Sequence, residues 1–359
     1  MKPVVFYDNI VFNLQNAGGI SNYWSEIAKR AWSFGIGKFY EFPNQNIFRE
    51  RIEIEAEREI CLPVKCLRYL PFTRKLPKNS IFHSSYYRFS LQQNVFNIAT
   101  IYDFTYELFA KGLPKHVHSI QKRMAISCAT GIICISKHTR NDLLKFYSSA
   151  NKKKVRVIYL GAGVNFKPIP DKDGALKSVD SSLISQRFIL FVGSRQTHKN
   201  FGIALEVLAK ESDLSLAVVG GGPFSEREEE LMKPYENRIV YFRSLDDKDL
   251  NILYNNSYCL LYPSTYEGFG IPVLEAMAAG CFPIAGDIES LREWITPGVN
   301  GLLVEPSKPQ GLAEALLLAL NTPGLRQQAA DINMQLVRQR ADISLVRSQI
   351  AVFYQRLIN

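Results

Sequence analysis

Tyr262-Pro263-Ser264-Thr265-Tyr266-Glu267-Gly268-Phe269-Gly270-Ile271-Pro272-Val273-Leu274-Glu275-Ala276-Met277-Ala278-Ala279-Gly280 organises the rest of the chain around it. It follows an apolar run over 258–262 that stops at Pro263 like a strand leaving a sheet. It then passes two glycines and enters an apolar helix at Pro272, which Gly280 closes. Proline suits the first turn of a helix, where its missing N–H costs nothing, and glycine suits the residue just past the end. A strand, a Gly-rich loop and a helix start form an anion cradle, because backbone N–H groups and the positive end of the helix dipole point at the same place. Glu267 lies in the loop, and Glu275 lies eight positions on, in the first turn or so of the helix. A carboxylate accepts hydrogen bonds in pairs and so suits the vicinal hydroxyls of a sugar ring or a ribose. The stretch reads as two hydroxyl clamps flanking a phosphate cradle. Taken singly, each acid reads equally well as a turn residue or a helix-dipole glutamate; the E-G-F-G-x-P spacing between them makes the pair specific.

With these residues in view, the chain resembles the retaining GT-B glycosyltransferases of family four (glycosyl transferases group 1), whose E-x7-E signature matches Glu267 and Glu275. The resemblance implies that Glu267, with the Gly268-Phe269-Gly270 turn, holds a donor sugar and that Glu275 holds the nucleotide ribose. It covers most of the second half of the chain and reaches the first half through fewer residues.

The 359 residues are enough for two domains, each with its own core. Hydrophobic residues at 47% and charged residues at 21% are those of an ordinary globular protein, with no apolar run of membrane-spanning length and no evident secretory leader. The six cysteines, Cys61, Cys66, Cys128, Cys134, Cys259 and Cys281, include no C-x-x-C pair, so buried free thiols in a reducing cytosol are expected rather than a disulfide or zinc framework. Residues 1–165 hold 24 Lys/Arg against 11 Asp/Glu, a net +13, while the remainder hold 19 against 23, a net −4, which together make the overall +9. The basic half suits an anionic bilayer, a diphosphate-bearing acceptor or nucleic acid. The bilayer is preferred, because Arg68, Arg74, Lys75 and Lys78 are interleaved with Leu67, Tyr69, Leu70, Phe72 and Leu76, and no nucleic-acid motif accompanies the charge.

Along the chain, a strand near 4–7 leads to Gly18-Gly19 and a helix over about 21–33, a second phosphate-approach loop or a plain turn. Strands follow at 80–83 and 97–101, and His83 reads as a histidine at the core edge. Tyr102-Asp103 closes the second of these strands, where ligands lie in open α/β sheets. Asp103 is a binder of an acceptor hydroxyl or a helix cap. Relatives in the resembling family carry His-Asp here, so Tyr102 is a departure that puts the histidine role in doubt. A basic amphipathic helix over 115–129, a strand at 131–135 and Ser136, which reads first as a cap and, by the resemblance, as a neighbour of the donor phosphates, come next. The segment 166–185, with Pro168 and Pro170, reads as a linker. The second domain opens with a buried strand at 188–193, and Arg195 and Lys199 then precede a helix, two cations placed to pinch a diphosphate. By themselves they would read as solvated charges; the G-x5-K-N match with the family favours phosphate. The resemblance also implies that the loop with Gly18 and Gly19 faces the donor diphosphate and that Ser244 and Leu245, after a strand at 239–242, lie near the nucleobase.

Strands alternating with helices in both halves predict an α/β protein, GT-B, with two doubly wound Rossmann-like domains facing a central cleft. The expected division is 1–168, with a C-terminal helix over about 343–359 packing back on it, and 169–342. The function implied is a retaining hexosyltransferase working from a nucleoside-diphosphate sugar onto a glycan or lipid-linked acceptor in surface-polysaccharide or O-antigen assembly, cytoplasmic or peripheral on the inner face of the plasma membrane. The residues expected to carry it are Asp103, Glu267, Arg195 and Lys199. No cofactor or metal is expected, because the D-K-D triplets at 171–173 and 247–249 close no apolar strand. A hydrolase would need paired carboxylates across the bond, and a nicotinamide enzyme a G-x-G-x-x-G after a strand, which is absent. A non-catalytic sugar-nucleotide or glycan-binding protein and a GT-B sugar-nucleotide epimerase stand as alternatives.

Overall fold

An unbroken apolar run such as Val4-Val5-Phe6-Tyr7 is stable as a strand only when both faces of its sheet are covered, the situation of a parallel sheet with helices on each side. The computed structural model describes residues 4–16, 18–29, 31, 36–59, 67–183, 187–322 and 324–359. They form two compact units, Met1–Gly161 with Ile343–Asn359, and Ala162–Asp342. The first boundary falls a few residues ahead of position 168.

In the first unit, strands β1 (Val4–Asp8), β2 (Ile36–Glu41), β3 (Ala56–Arg58), β4 (Ser80–Ser84), β5 (Val95–Ile101), β6 (Gly131–Cys134) and β7 (Lys154–Val157) build a seven-stranded sheet in the order β3-β2-β1-β4-β5-β6-β7. Each pairing is parallel. The order reverses between β1 and β4. β1 and β4 are almost wholly buried, whereas β7, at the edge, alternates exposed and half-buried positions. The C-terminal helix Ile343–Ile358 buries Val346, Ile350, Phe353, Tyr354 and Leu357 at helical spacing against this sheet. Gly131 permits the approach: a Cβ there would sit 2.8 Å from both Leu357 Cδ1 and Phe353 Cζ. His83, read as a core-edge histidine, is fully buried, with Nδ1 2.7 Å from the Tyr354 hydroxyl and Nε2 2.8 Å from Thr100 Oγ1. Burial pushes its pKa down to about 3, so the ring is neutral.

In the second unit, β8 (Arg187–Val192), β9 (Leu214–Val219), β10 (Ile239–Phe242), β11 (Leu260–Tyr262), β12 (Pro283–Gly286) and β13 (Leu302–Val304) form a six-stranded parallel sheet ordered β10-β9-β8-β11-β12-β13. The reversal falls between β8 and β11. Ile189, Phe191, Leu216, Val218, Leu261 and Ile284 from its central strands share one core with the helix Phe201–Lys210.

Within the segment 166–185, the described residues 166–183 pack onto the second unit rather than run as a linker. Asn251 and Asn255, four apart on the helix Asp247–Asn256, accept hydrogen bonds from the backbone N–H groups of Lys167 (3.0 Å) and Ile169 (2.9 Å), and both donate to the Lys167 carbonyl. Phe166 is buried edge-on to Tyr254. Pro168 and Pro170 cannot donate to a ladder, so side-chain amides supply the partners that a strand would otherwise offer. Helix Lys172–Val179 follows, with Asp171 accepting from the Gly174 N–H, and Asp246 caps Asp247–Asn256 in the same way. The D-K-D triplets therefore begin helices, where carboxylates complement the dipole. Cys128, Cys134, Cys259 and Cys281 are free thiols, the last three buried; Cys61 and Cys66 lie outside the described residues.

Candidate active site

The reversal of strand order in an open parallel sheet leaves a crevice at the carboxyl ends of the two strands flanking it, because their connections leave on opposite faces. In the second unit those strands are β8 and β11, and the loops after them carry Lys199 and Glu267. The structure brings these two together: Lys199 Nζ lies 2.5 Å from Glu267 Oε1 and 3.0 Å from the Tyr262 hydroxyl. Both side chains are largely shielded, 15% and 12% exposed. Burial alone lowers the Lys199 pKa, but the Tyr262 hydroxyl and the Glu267 carboxylate outweigh it and hold the ammonium above the usual lysine range. The cation is permanent at physiological pH.

The two loops are also tied through their backbones, since the Thr265 N–H donates to the His198 carbonyl at 2.8 Å. Asn200 closes the first loop in the left-handed region, φ 59°, with its side-chain amide on the Pro306 carbonyl. In the second, Gly270 has φ 91° and begins the helix Ile271–Ala279, with Pro272 in its first turn. A Cβ at Gly270 would meet Leu291 Cδ2 at 2.5 Å, so glycine is required on both counts. Gly280, φ 81°, ends the helix as its N–H and that of Cys281 bond back into the last turn.

Glu275, in the middle of that helix, is buried, with the Tyr254 hydroxyl donating to Oε2 at 3.2 Å. Burial pushes its carboxyl up to about 8, with Asp247 adding to the rise and the Tyr254 hydrogen bond opposing it. Phe269 is buried too, edge-on to Trp294 at 5.5 Å, so its side chain belongs to the core and only its backbone borders the loop. Gly268 is buried as well. Ser244 and Leu245 follow β10 at the same carboxyl edge, Ser244 exposed and Leu245 half-buried.

Arg195 is placed differently from the sequence expectation of a diphosphate-pinching cation. Its Nε donates to Glu228 Oε1 at 2.9 Å, and its terminal nitrogens donate to the carbonyls of Gly220, Gly222 and Pro223 at 2.7–2.8 Å, with the guanidinium 4.1 Å from the Phe224 ring centroid. The turn it grips contains three consecutive glycines at positive φ, Gly220, Gly221 and Gly222. A turn of that kind exposes carbonyls that a planar fork can collect, so the nearest cation is drawn into it.

In the first unit, Gly18 precedes the helix Gly19–Ala28 and Gly19 is its first residue. Asp103 is half-buried after β5; its Oδ1 accepts from the Thr105 N–H at 2.9 Å, and its carbonyl accepts from Lys122 at 2.8 Å. Tyr102, where the resembling family carries histidine, is buried and donates to the Ser85 carbonyl at 3.1 Å. Ser136 caps the helix Lys137–Phe146 by accepting from the Thr139 N–H. The reversal between β1 and β4 is filled by a buried ion network: Arg88 bonds Asp8 and Glu59, each at 3.0 Å, and Ser84 Oγ donates to Asp8. Among the described residues no three His, Cys, Asp or Glu side chains converge as metal ligands would.

Tyr262 and Tyr254, which contact Lys199 and Glu275, were not singled out from sequence. Tyr262 is the last residue of a strand flanking the reversal, a position that could have flagged it. Tyr254 is indistinguishable in sequence from any core aromatic on an amphipathic helix.

This strand order in two successive parallel α/β units defines a GT-B fold. Residues 179–334 match the family model described as glycosyl transferases group 1. The chain is 27% identical over 206 residues to an uncharacterized glycosyltransferase of Methanocaldococcus jannaschii, covering 55% of this chain and 52% of the relative. It is 24% identical over 225 residues to the O-antigen chain mannosyltransferase B of Escherichia coli, covering 60% and 58%. The chain thus spans about half the length of the curated relatives it matches. Among solved structures, it is similar to Anabaena HepE in complex with UDP-glucose, with TM-score 0.77, 18% identity and 99% of both chains covered.

Proposed function

We propose that this chain is a retaining glycosyltransferase, a hexosyltransferase that moves a sugar from a nucleoside-diphosphate sugar to a hydroxyl of a glycan or lipid-linked acceptor in surface-polysaccharide assembly. The observation that carries the reading is the shielded Lys199–Glu267 pair at the β8/β11 reversal, beside the glycine-framed start of the helix Ile271–Ala279. A cation and a carboxylate beside a helix start match the parts of such a donor that need them: leaving phosphate and sugar hydroxyls. The match to the group 1 model over 179–334, the O-antigen mannosyltransferase among the relatives and the UDP-glucose held by HepE support it.

The chemistry follows from charge. As the bond from the anomeric carbon to phosphate oxygen breaks, negative charge grows on the leaving group, and Lys199 with the loop N–H groups stabilises it. The acceptor oxygen bonds the anomeric carbon on the face the phosphate leaves, and its proton passes to the departing phosphate oxygen. No side-chain nucleophile is required. Glu267, released from Lys199 as the donor binds, clamps sugar hydroxyls; Glu275, held by Tyr254, addresses the ribose; Ser244 and Leu245 border the base. In the first unit, Gly18 and Gly19 offer N–H groups to phosphate, and Asp103 an oxygen to the acceptor hydroxyl. Arg195 serves by holding the Gly220–Pro223 turn. The reaction is metal-independent, and the enzyme works at the cytoplasmic face of a membrane.

The test is release of nucleoside diphosphate from UDP-, GDP- and ADP-sugars with EDTA present, comparing wild type with Glu267→Ala, Lys199→Ala and Asp103→Ala. Release that survives EDTA and is lost in the first two variants supports the reading. Tight nucleotide binding with no turnover on any acceptor overturns it in favour of a binding protein.

A further inference from the structure

A helix on the surface of a globular protein ordinarily turns its apolar stripe inward and its charges outward. The helix Gly112–Cys128 does the reverse. Leu113, Val117, Ile120 and Met124 fall at i, i+4, i+7 and i+11, one continuous stripe turned towards solvent: Leu113 is 75% exposed, Ile120 57% and Met124 43%, with Val117 half-buried between them. The buried face carries His118, Gln121 and Lys122 beside Ala125 and Ile126. Those polar groups are anchored. Lys122 Nζ is 2.8 Å from Glu107 Oε2, His118 stacks on Tyr106 with centroids 3.9 Å apart, and the Gln121 amide donates to the Arg68 carbonyl. The helix therefore cannot roll its stripe inward without stranding a buried lysine. Leu108 and Phe109, just before it on the short helix Thr105–Phe109 that packs on it, are 42% and 48% exposed.

Contiguous apolar surface of this kind marks an interaction site, and the charges around it name the partner. Residues 108–128 contain Lys111, Lys115, Lys122 and Arg123 and no Asp or Glu. Lys111 and Arg123 are exposed, and Lys153 reaches the Ser127 carbonyl at the far end of the helix. Cations bordering an apolar stripe are what an anionic bilayer attracts, the side chains entering the acyl boundary while the ammonium and guanidinium groups meet lipid phosphates. The interleaved segment 67–78 offers less apolar surface, because Phe72 and Leu76 are buried in a core cluster with Tyr40 and Phe82 and, of its large apolar side chains, only Tyr69 and Leu70 stand exposed. Among the described residues no helix is long and apolar enough to cross a membrane, so attachment through this face would lie in the interface.

We propose that the outward apolar stripe Leu113, Val117, Ile120 and Met124, with Lys111, Lys115 and Arg123, docks the protein on an anionic lipid bilayer. The proposal deepens the reading of a lipid-linked or surface-glycan acceptor, which such a bilayer would carry. The experiment is sedimentation of the full chain with vesicles of phosphatidylcholine alone or with phosphatidylglycerol added, at low and high salt. UDP-sugar binding and light scattering are measured on the same samples. The expected result is partition onto phosphatidylglycerol vesicles that weakens with salt and is weak on phosphatidylcholine. Leu113→Glu with Ile120→Glu, two exposed positions that leave the fold intact, should reduce it about tenfold or more, and Lys115→Glu with Arg123→Glu likewise. Binding that ignores the apolar pair, or no binding to anionic vesicles, overturns the proposal. Self-association abolished by Leu113→Glu with Ile120→Glu overturns it too, giving the face to a second copy. Lost partition with donor binding intact sinks the surface alone; partition without donor binding sinks the catalytic reading alone.

Discussion

The two sheets share the order of their first six strands, and each reverses once, yet the crevices at the reversals are furnished oppositely. In the second unit the β8/β11 reversal holds a single shielded pair, Lys199–Glu267, next to a helix start framed by Gly270. In the first, the β1/β4 reversal is closed by Arg88 bridging Asp8 and Glu59, with side chains 2%, 0% and 11% exposed. A crevice is a binding site only while its polar groups have bonding capacity left over. Among the described residues Lys199 and Glu267 have no third partner of opposite charge, so the two can re-pair with a ligand. Arg88 divides itself between two carboxylates, and Asp8, already bonded by Ser84, lies too deep to meet a ligand. The same topology serves grip in one unit and stability in the other.

The largest effect is expected where that division is broken. Arg88→Met leaves Asp8 buried beside no cation, and a buried charge stripped of its partner costs ~3–5 kcal/mol. Urea unfolding should show a loss of that size, and a loss below about 1 kcal/mol would mean that the network is not what holds the first reversal.

Lys199→Ala should lower turnover of the nucleotide sugar by on the order of a hundred- to a thousandfold, the usual effect of deleting one group aimed at developing negative charge. Arg195→Ala sharpens the contrast within the same loop, since its donors are spent on the Gly220–Pro223 turn. It should loosen the fold, read as a lower melting temperature, and any drop in turnover should accompany that loss. If Arg195→Ala instead matches Lys199→Ala in turnover at unchanged stability, the arginine is a phosphate ligand after all.

A pH effect comes next. The Glu275 carboxyl has its ordinary value of 4.5 in the unfolded chain and about 8 in the fold. The folded state holds the proton more tightly, so stability is flat below about pH 4.5, falls as pH rises towards 8 and is flat again above. Across that window the loss is on the order of a few kcal/mol. Glu275→Gln, which cannot ionise, should flatten that part of the profile in urea unfolding measured at several pH values. An unchanged slope would assign it to other groups.

The smallest effect is expected at Asp103. Asp103→Ala should cost about 1 kcal/mol, because its Oδ1 caps the Thr105 N–H, and Asp103→Asn should restore that stability. If Asp103→Asn restores stability but not transfer to an acceptor, the carboxylate acts on the acceptor; if it restores both, Asp103 is a cap alone.

These contrasts separate what could be read without coordinates from what could not. The strands showed themselves because a parallel sheet covered on both faces demands unbroken apolar runs, as at Val4-Val5-Phe6-Tyr7 and Phe188-Ile189-Leu190-Phe191. The loop from Glu267 to Gly270 was equally legible, since positive φ and a close backbone approach select glycine at a position the chain itself marks. Partnership was not legible. Arg195 and Lys199 are four residues apart and alike in charge; one is drawn into a carbonyl-rich turn formed by residues 220–223 and the other meets a carboxylate from the loop after β11. The segment 166–185 looked like a linker because the amide partners of Lys167 and Ile169, Asn251 and Asn255, lie more than 80 positions further on. The inward turn of Lys122 and the outward turn of Ile120 likewise follow from Glu107 and from the sheet beneath, and helical periodicity alone assigns the face backwards. The elements, and the one loop whose backbone is locally dictated, could be read from the residues alone. Tertiary structure decided which charges pair and which faces are wet, because those depend on neighbours that only the folded chain brings within a few ångströms.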